Sequence, residues 1–102
     1  MGDHVSISFK NQDEESVVLF DHWGGMYRVE HAREYVLALQ HEVANHQTTP
    51  LDRLEPGTVM VDYIRDITAL QPRIRSSLYL GATAADGDNS DNGHHVIYLH
   101  KN

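Results

Sequence analysis

The chain has 102 residues, of which 40% are hydrophobic and 23% charged, a balance that indicates a globular fold in one domain, 1–102, and excludes fibrous and disordered classes. Fifteen acidic residues against eight basic ones give a formal charge of −7, a field that repels phosphate backbones and argues against nucleic acid as a partner. With no cysteine there are no disulfides, thiolate nucleophiles or thiolate zinc sites, and eight histidines leave the charge sensitive to mild acid.

The start, Met1-Gly2-Asp3-His4, has neither the basic segment nor the apolar stretch of a signal peptide. No apolar run approaches the roughly 18 residues of a spanning helix. A soluble, cytoplasmic protein without a membrane partner is the expectation. His4 to Lys10 then alternates apolar and polar, which predicts a half-buried strand with Val5, Ile7 and Phe9 inward and Ser6, Ser8 and Lys10 outward. The polar stretch Asn11 to Glu15 has the length of a hairpin turn. Ser16 to Phe20 is more continuously apolar and predicts a second, more central strand.

After Trp23-Gly24-Gly25 the period changes. Val29, Ala32, Val36, Leu39 and Val43 form one helical stripe, and a helix is predicted over 28–45, ended by the polar run to Pro50. Leu51 to Leu54 fits a single turn, and Pro56 suits the first turn of a second helix. That helix is predicted over 58–70, with Val59, Met60, Tyr63, Ile64, Ile67 and Leu70 on its apolar stripe. Arg73 to Gly81 and His95 to His100 return to extended character. The fold class that follows is α+β: a two-layer sandwich in which a four-stranded, largely antiparallel sheet of order ββααββ carries two helices on one face.

Between the last two strands lies the densest set of reactive groups in the chain, Ala85-Asp86-Gly87-Asp88-Asn89-Ser90-Asp91-Asn92-Gly93-His94-His95. Its carboxylates and amides resemble a calcium loop in composition, but no glutamate stands at the twelfth position and no helix pair flanks it, so a helix-loop-helix calcium site is excluded. The plain reading is a solvated hairpin loop in which Asp, Asn and Gly supply turn geometry. The competing one is a divalent-metal site of nitrogen and oxygen donors drawn from His22, Asp88, Asp91, His94 and His95. Adjacent His94 and His95 point to opposite faces of a strand, so only one of them can serve it. A histidine oriented by Asp91 would also suit a general base.

The second cluster is Asp21-His22-Trp23-Gly24-Gly25. Trp23 reads first as a cap over the core and second as a stacking platform, and the helix start behind it offers amide groups to an anion. There is no phosphate loop, dinucleotide glycine pattern or Gly-x-Ser-x-Gly turn. If the second strand pairs antiparallel with the fourth, as preferred, the two clusters share a rim. An antiparallel pair of first and fourth strands would put them at opposite ends. The candidate ligand-binding set is then His22, Trp23, Gly24, Gly25, Asn92 and His94.

His22-Trp23-Gly24-Gly25, Leu78-Tyr79-Leu80-Gly81 and Asp88 to His95 together resemble small uncharacterised proteins of phage and prokaryotic genomes, over most of the chain. The resemblance implies an accessory or regulatory protein rather than a metabolic enzyme. The functional expectation is a small acidic module that binds a protein or small ligand without catalysis. The alternative is a metal-binding protein or metal-dependent hydrolase. Two open sheet edges also allow a homo-oligomer.

Overall fold

The computed structural model describes residues 2–45, 54–70 and 77–99. Its elements run β1 (Val5–Lys10), β2 (Val18–Asp21), α1 (Gly25–Ala44), α2 (Pro56–Thr68), β3 (Leu78–Gly81) and β4 (His94–Tyr98). This is the α+β architecture expected, with both helices packed on one face of a four-stranded sheet. Among the described residues, no helix is long and apolar enough to cross a membrane. The predicted turn at 51–54, all but Leu54, and the predicted start of β3 before residue 77 lie outside the described residues.

The core is set by alternation in the sheet and by the 3.6-residue period in the helices. Val5, Ile7 and Phe9 of β1 meet Leu19 of β2, Ile97 of β4, Val29, Ala32, Val36 and Leu39 of α1, and Val59, Met60 and Tyr63 of α2. Phe9 is fully buried, with the Tyr63 ring set edge-on at 5.6 Å. Pro56 occupies the first turn of α2, where its missing N–H has no partner to lose. Leu70, expected on the α2 stripe, is 98% exposed, because the helix ends at Thr68 and its stripe ends with it. Asn11 makes the β1–β2 turn, its side-chain oxygen accepting from the Asp13 and Glu14 amides.

Strand order departs from the expected pairing. The sheet runs β3-β2-β1-β4, with β1–β2 and β2–β3 antiparallel but β1–β4 parallel. The second strand therefore does not pair with the fourth, because β1 lies between them, and β3 and β4 form the two edges instead of a hairpin. The segment 82–93 is a crossover that carries the chain across the sheet face opposite the helices. A parallel connection needs about a dozen residues for such a passage.

This crossover overturns the reading of β1 as half-buried. Ser6 and Ser8 are fully buried, as are Val18 and Phe20 on the same face of β2, because the crossover lies over them. Phe20 stacks on Tyr79 of β3 at 4.9 Å, and a side chain added at Gly87 would strike both rings, so the loop backbone closes directly onto this aromatic pair.

Candidate functional site

Parallel pairing puts the start of β4 beside the start of β1, and the antiparallel β1–β2 pair puts the end of β2 there too. Ser6 is level with His94, and Val5 with Asp21. Three segments consequently meet at one rim: the lead-in Gly2-Asp3-His4, the β2–α1 turn and the end of the crossover.

The β2–α1 turn is built around Asp21, which is 3% exposed. Its Oδ1 accepts from the Trp23 and Gly24 amides at 3.0 Å each and from the Ser77 hydroxyl at 3.2 Å. Its Oδ2 takes the Arg28 Nε at 2.9 Å, and Arg28 Nη1 continues to the Tyr63 hydroxyl at 3.0 Å. His31 Nδ1 lies 2.9 Å from the same hydroxyl, within hydrogen-bond distance. Asp21 thus stitches β2, both helices and the residue before β3 together.

Gly24 and Gly25 are required by the close packing of this junction. A side chain at Gly24 would collide with the Asp21 carboxylate, and one at Gly25, held at φ 55, would collide with that of Asp3. The Gly25 amide donates to the Asp3 carbonyl at 3.0 Å. The anion-binding helix start expected from the sequence is therefore furnished with acidic groups of the chain itself. Pulled outward by this tight turn, Trp23 is 59% exposed, so it does not cap the core.

From Trp23 a row of rings runs along the rim. His22 lies edge-on to Trp23 at 4.3 Å, and His4 lies edge-on to His22 at 4.2 Å. The row ends on two carboxylates. Asp91 Oδ2 accepts from both the His4 backbone amide at 2.8 Å and Nδ1 at 2.7 Å, and Asp88 Oδ2 is 3.4 Å from His4 Nε2. Asp88 is also held by Ser90, whose amide and hydroxyl both donate to its Oδ1. The side chains of Asp88 and Asp91 remain 51% and 44% exposed. The Ser90 hydroxyl holds the Asp88 carboxyl below its ordinary range, and the His4 amide does the same for Asp91.

Asn92 seals the rim from beneath: its side-chain amide donates to Asp3 Oδ1 at 2.6 Å and to the His4 carbonyl at 3.2 Å. Of the sequence candidates, then, His22, Trp23, Asp88, Asp91 and Asn92 come together here. His4 is the member the sequence reading missed. Nothing marks it in a chain with eight histidines until the parallel register sets it beside the crossover.

His94 and His95 do point to opposite faces, and neither joins the row. The ring of His94 turns onto the crossover face, with Nδ1 2.8 Å from Ser6 Oγ and Nε2 3.2 Å from Ser8 Oγ. His95 Nε2 donates to the Asn92 carbonyl at 2.8 Å on the helix side. The metal set His22, Asp88, Asp91, His94 and His95 is thus divided over three environments. Among the described residues, no three His, Asp or Glu side chains are grouped to hold a metal ion.

Beside the rim a second polar system runs into the sheet. Ser8 Oγ donates to Glu15 Oε2 at 2.6 Å, so its single proton is used, and His94 Nε2–H must be the donor to Ser8. Neutral His94 then accepts at Nδ1 from Ser6 Oγ–H, and Ser6 Oγ accepts from Asn89 Nδ2 at 2.9 Å. All donors point one way, from Asn89 through Ser6, His94 and Ser8 to the carboxylate. Burial lowers the His94 pKa, against the pull of Glu15.

No protein-family model, no curated protein and no solved structure matches this chain.

Proposed function

We propose that the protein is a small binding module that acts without catalysis, and that its ligand is a cationic segment of a partner protein seated along the rim. The observation that carries this reading is the row Trp23, His22, His4 ending on Asp88 and Asp91, with the indole and both carboxylates open to solvent. An arginine side chain matches such a strip. Its guanidinium pairs with the carboxylates, and its flat face or that of a neighbouring cation lies against the indole. The charge of −7 steers basic partners toward the protein and keeps polyanions away. The resemblance of the His22–Gly25 turn and the terminal loop to small phage and prokaryotic proteins fits an accessory role of this kind.

The test is a titration of a capped tri-arginine peptide, followed by isothermal titration calorimetry. We expect saturable binding that weakens with salt, as it must when exposed charges contribute. It should be lost in Trp23→Ala and weakened in Asp88→Asn and Asp91→Asn, with the unfolding midpoint of Trp23→Ala unchanged. Binding that survives Trp23→Ala, or none at low salt, would refute the assignment.

A metal-binding reading draws on the same place, since Asp91 fixes His4 through Nδ1 and leaves Nε2 facing Asp88, as carboxylates orient ligating imidazoles. It ranks second because, among the described residues, no third donor converges with these two. Stoichiometric zinc or manganese in untagged protein would reverse the order.

A further inference from the structure

We propose that the relay through His94 is a protonation-sensitive latch, which fastens the crossover to the sheet at neutral pH and releases it in mild acid. The latch stands on the relay geometry alone. Its consequence for a ligand rests on the rim reading above, because the crossover carries Asp88 and Asp91.

The argument is one of hydrogen-bond supply. Neutral His94 completes a chain in which each hydroxyl donates once and accepts once. Among the described residues no buried side-chain nitrogen or oxygen lacks a partner. Protonated His94 has two donors and no acceptor. On the Nε2 side nothing is lost, because Ser8 still accepts and Glu15 stands 3.8 Å away to pair with the new charge. On the Nδ1 side two donors face each other. Ser6 Oγ would have to accept from His94 as well as Asn89, and its own proton would have no acceptor in a fully buried position.

An amide flip at Asn89 would set its oxygen against the Ala84 carbonyl, so the Ser6 proton gains an acceptor only when Asn89 withdraws and water enters. Asn89 is the crossover's side-chain tie to β1, and the same amide also donates to the Ala84 carbonyl at 3.1 Å within the loop. The failure therefore falls on the crossover and spares the β1–β2 turn. The charged and titratable groups around His94 are Glu15 from that turn and the adjacent His95 of β4. Lys10 shares the face but is level with Tyr98, at the far end of the β1–β4 pair. His4 and His22 are histidines of the neighbouring rim, so the test must separate them from His94.

The experiment is histidine-ring and backbone-amide NMR on the full chain between about pH 7.5 and pH 5.5, spanning the ordinary histidine pKa. Neutral His94 should carry its proton on Nε2 and titrate below about 6.5. The amides of Asn92 and Gly93, bonded to the His4 and Asn89 carbonyls, report on the crossover. Corrected for intrinsic rates, their protection should fall by up to about tenfold for each pH unit below the ordinary histidine value, until His94 is fully protonated. In His94→Asn, which keeps an acceptor for Ser6 and cannot titrate, this fall should vanish while His4 and His22 remain. In Asn89→Ala, protection should already be low at neutral pH.

A pH-independent crossover in the native protein would overturn the latch, as would a fall in protection that persists in His94→Asn. Tri-arginine peptide affinity measured alongside separates the two ideas. Loosening without peptide binding at any pH leaves the latch standing and removes the rim reading, whereas binding with a rigid crossover does the reverse.

Discussion

Removing Asp21 tests the claim that the β2–α1 turn is held by one buried carboxylate. In Asp21→Ala the Arg28 guanidinium, with its side chain 13% exposed, keeps its bond to Tyr63 but loses its counter-charge. Breaking one side of a buried ion pair costs about 3–5 kcal/mol. The Trp23 and Gly24 amides lose their acceptor as well, a capping loss of about 1 kcal/mol. The two overlap, since the same turn relaxes in both, and roughly 4 kcal/mol is the working figure. Against a total stability of about 5–15 kcal/mol for a domain of this size, that is a quarter or more. It should lower the thermal midpoint by roughly 15–25 °C. Asp21→Asn keeps an oxygen for the two amides and should fall between Asp21→Ala and the native protein. Urea unfolding followed by far-ultraviolet circular dichroism measures all three. Adding Arg28→Met to Asp21→Ala should recover part of the loss, because the unpaired charge is then gone. A loss under about 1 kcal/mol for Asp21→Ala, or no recovery in the double variant, would show that the junction does not hold the turn.

Three further outcomes follow from packing, backbone and charge. Phe9→Ala opens a cavity among Tyr63, Tyr35 and the helices and should cost about 3–5 kcal/mol in the same urea assay. Gly25→Ala combines a positive φ with a clash against the Asp3 carboxylate, so it should destabilise by more than the 1–2 kcal/mol of left-handed backbone alone, and Asp3→Ala in the same chain should return part of it. Asp88 and Asp91 titrate below their ordinary values in the folded state, so their contribution is present above about pH 4 and is lost as pH falls through the lowered values. Acid unfolding of Asp91→Asn should accordingly be less steep in that window, and an unchanged acid limb would count against the His4–Asp91 contact.

What the sequence disclosed and what it withheld divide by physical cause. Period-two alternation places Val5, Ile7 and Phe9 in the core, and the 3.6-residue stripe places Val29, Ala32, Val36 and Leu39 against them, since both patterns are local. Pairing is not local. The β3–β4 segments read equally well as a hairpin or as strands separated by others, and apolar content does not choose between them. A clue was present in the connection itself. Residues 82–93 are long for a hairpin loop and suited to a crossover. Hydroxyls at Ser6 and Ser8, instead of charges, were a second clue, for they can be buried when a loop brings partners to them. With the crossover recognised, His4 would have entered the candidate site and His94 would have left it.

The crossover also explains why its composition misleads. A segment that crosses a sheet face with no regular element beyond the short 3-10 turn Ala84–Asp86 must satisfy most of its polar groups by side chains and turns. Most of its reactive residues are spent in this way. Asp86 caps its own turn by accepting from the Thr83 amide, Asn89 reaches Ser6 and Ala84, Asn92 reaches Asp3 and His4, and the Asp88 amide donates to the Tyr79 hydroxyl. What remains for a ligand is the outward part of Asp88 and Asp91, beside Trp23. Stability and binding should therefore separate along the loop. Asn89→Ala deprives buried Ser6 of a donor and should cost about 1–2 kcal/mol, while Asp88→Asn, with its side chain 51% exposed, should lower the neutral-pH midpoint much less and act chiefly on the peptide. The opposite pattern, with Asp88→Asn unfolding the protein and Asn89→Ala silent, would mean that the loop is held by its outer charges and that the buried relay is incidental.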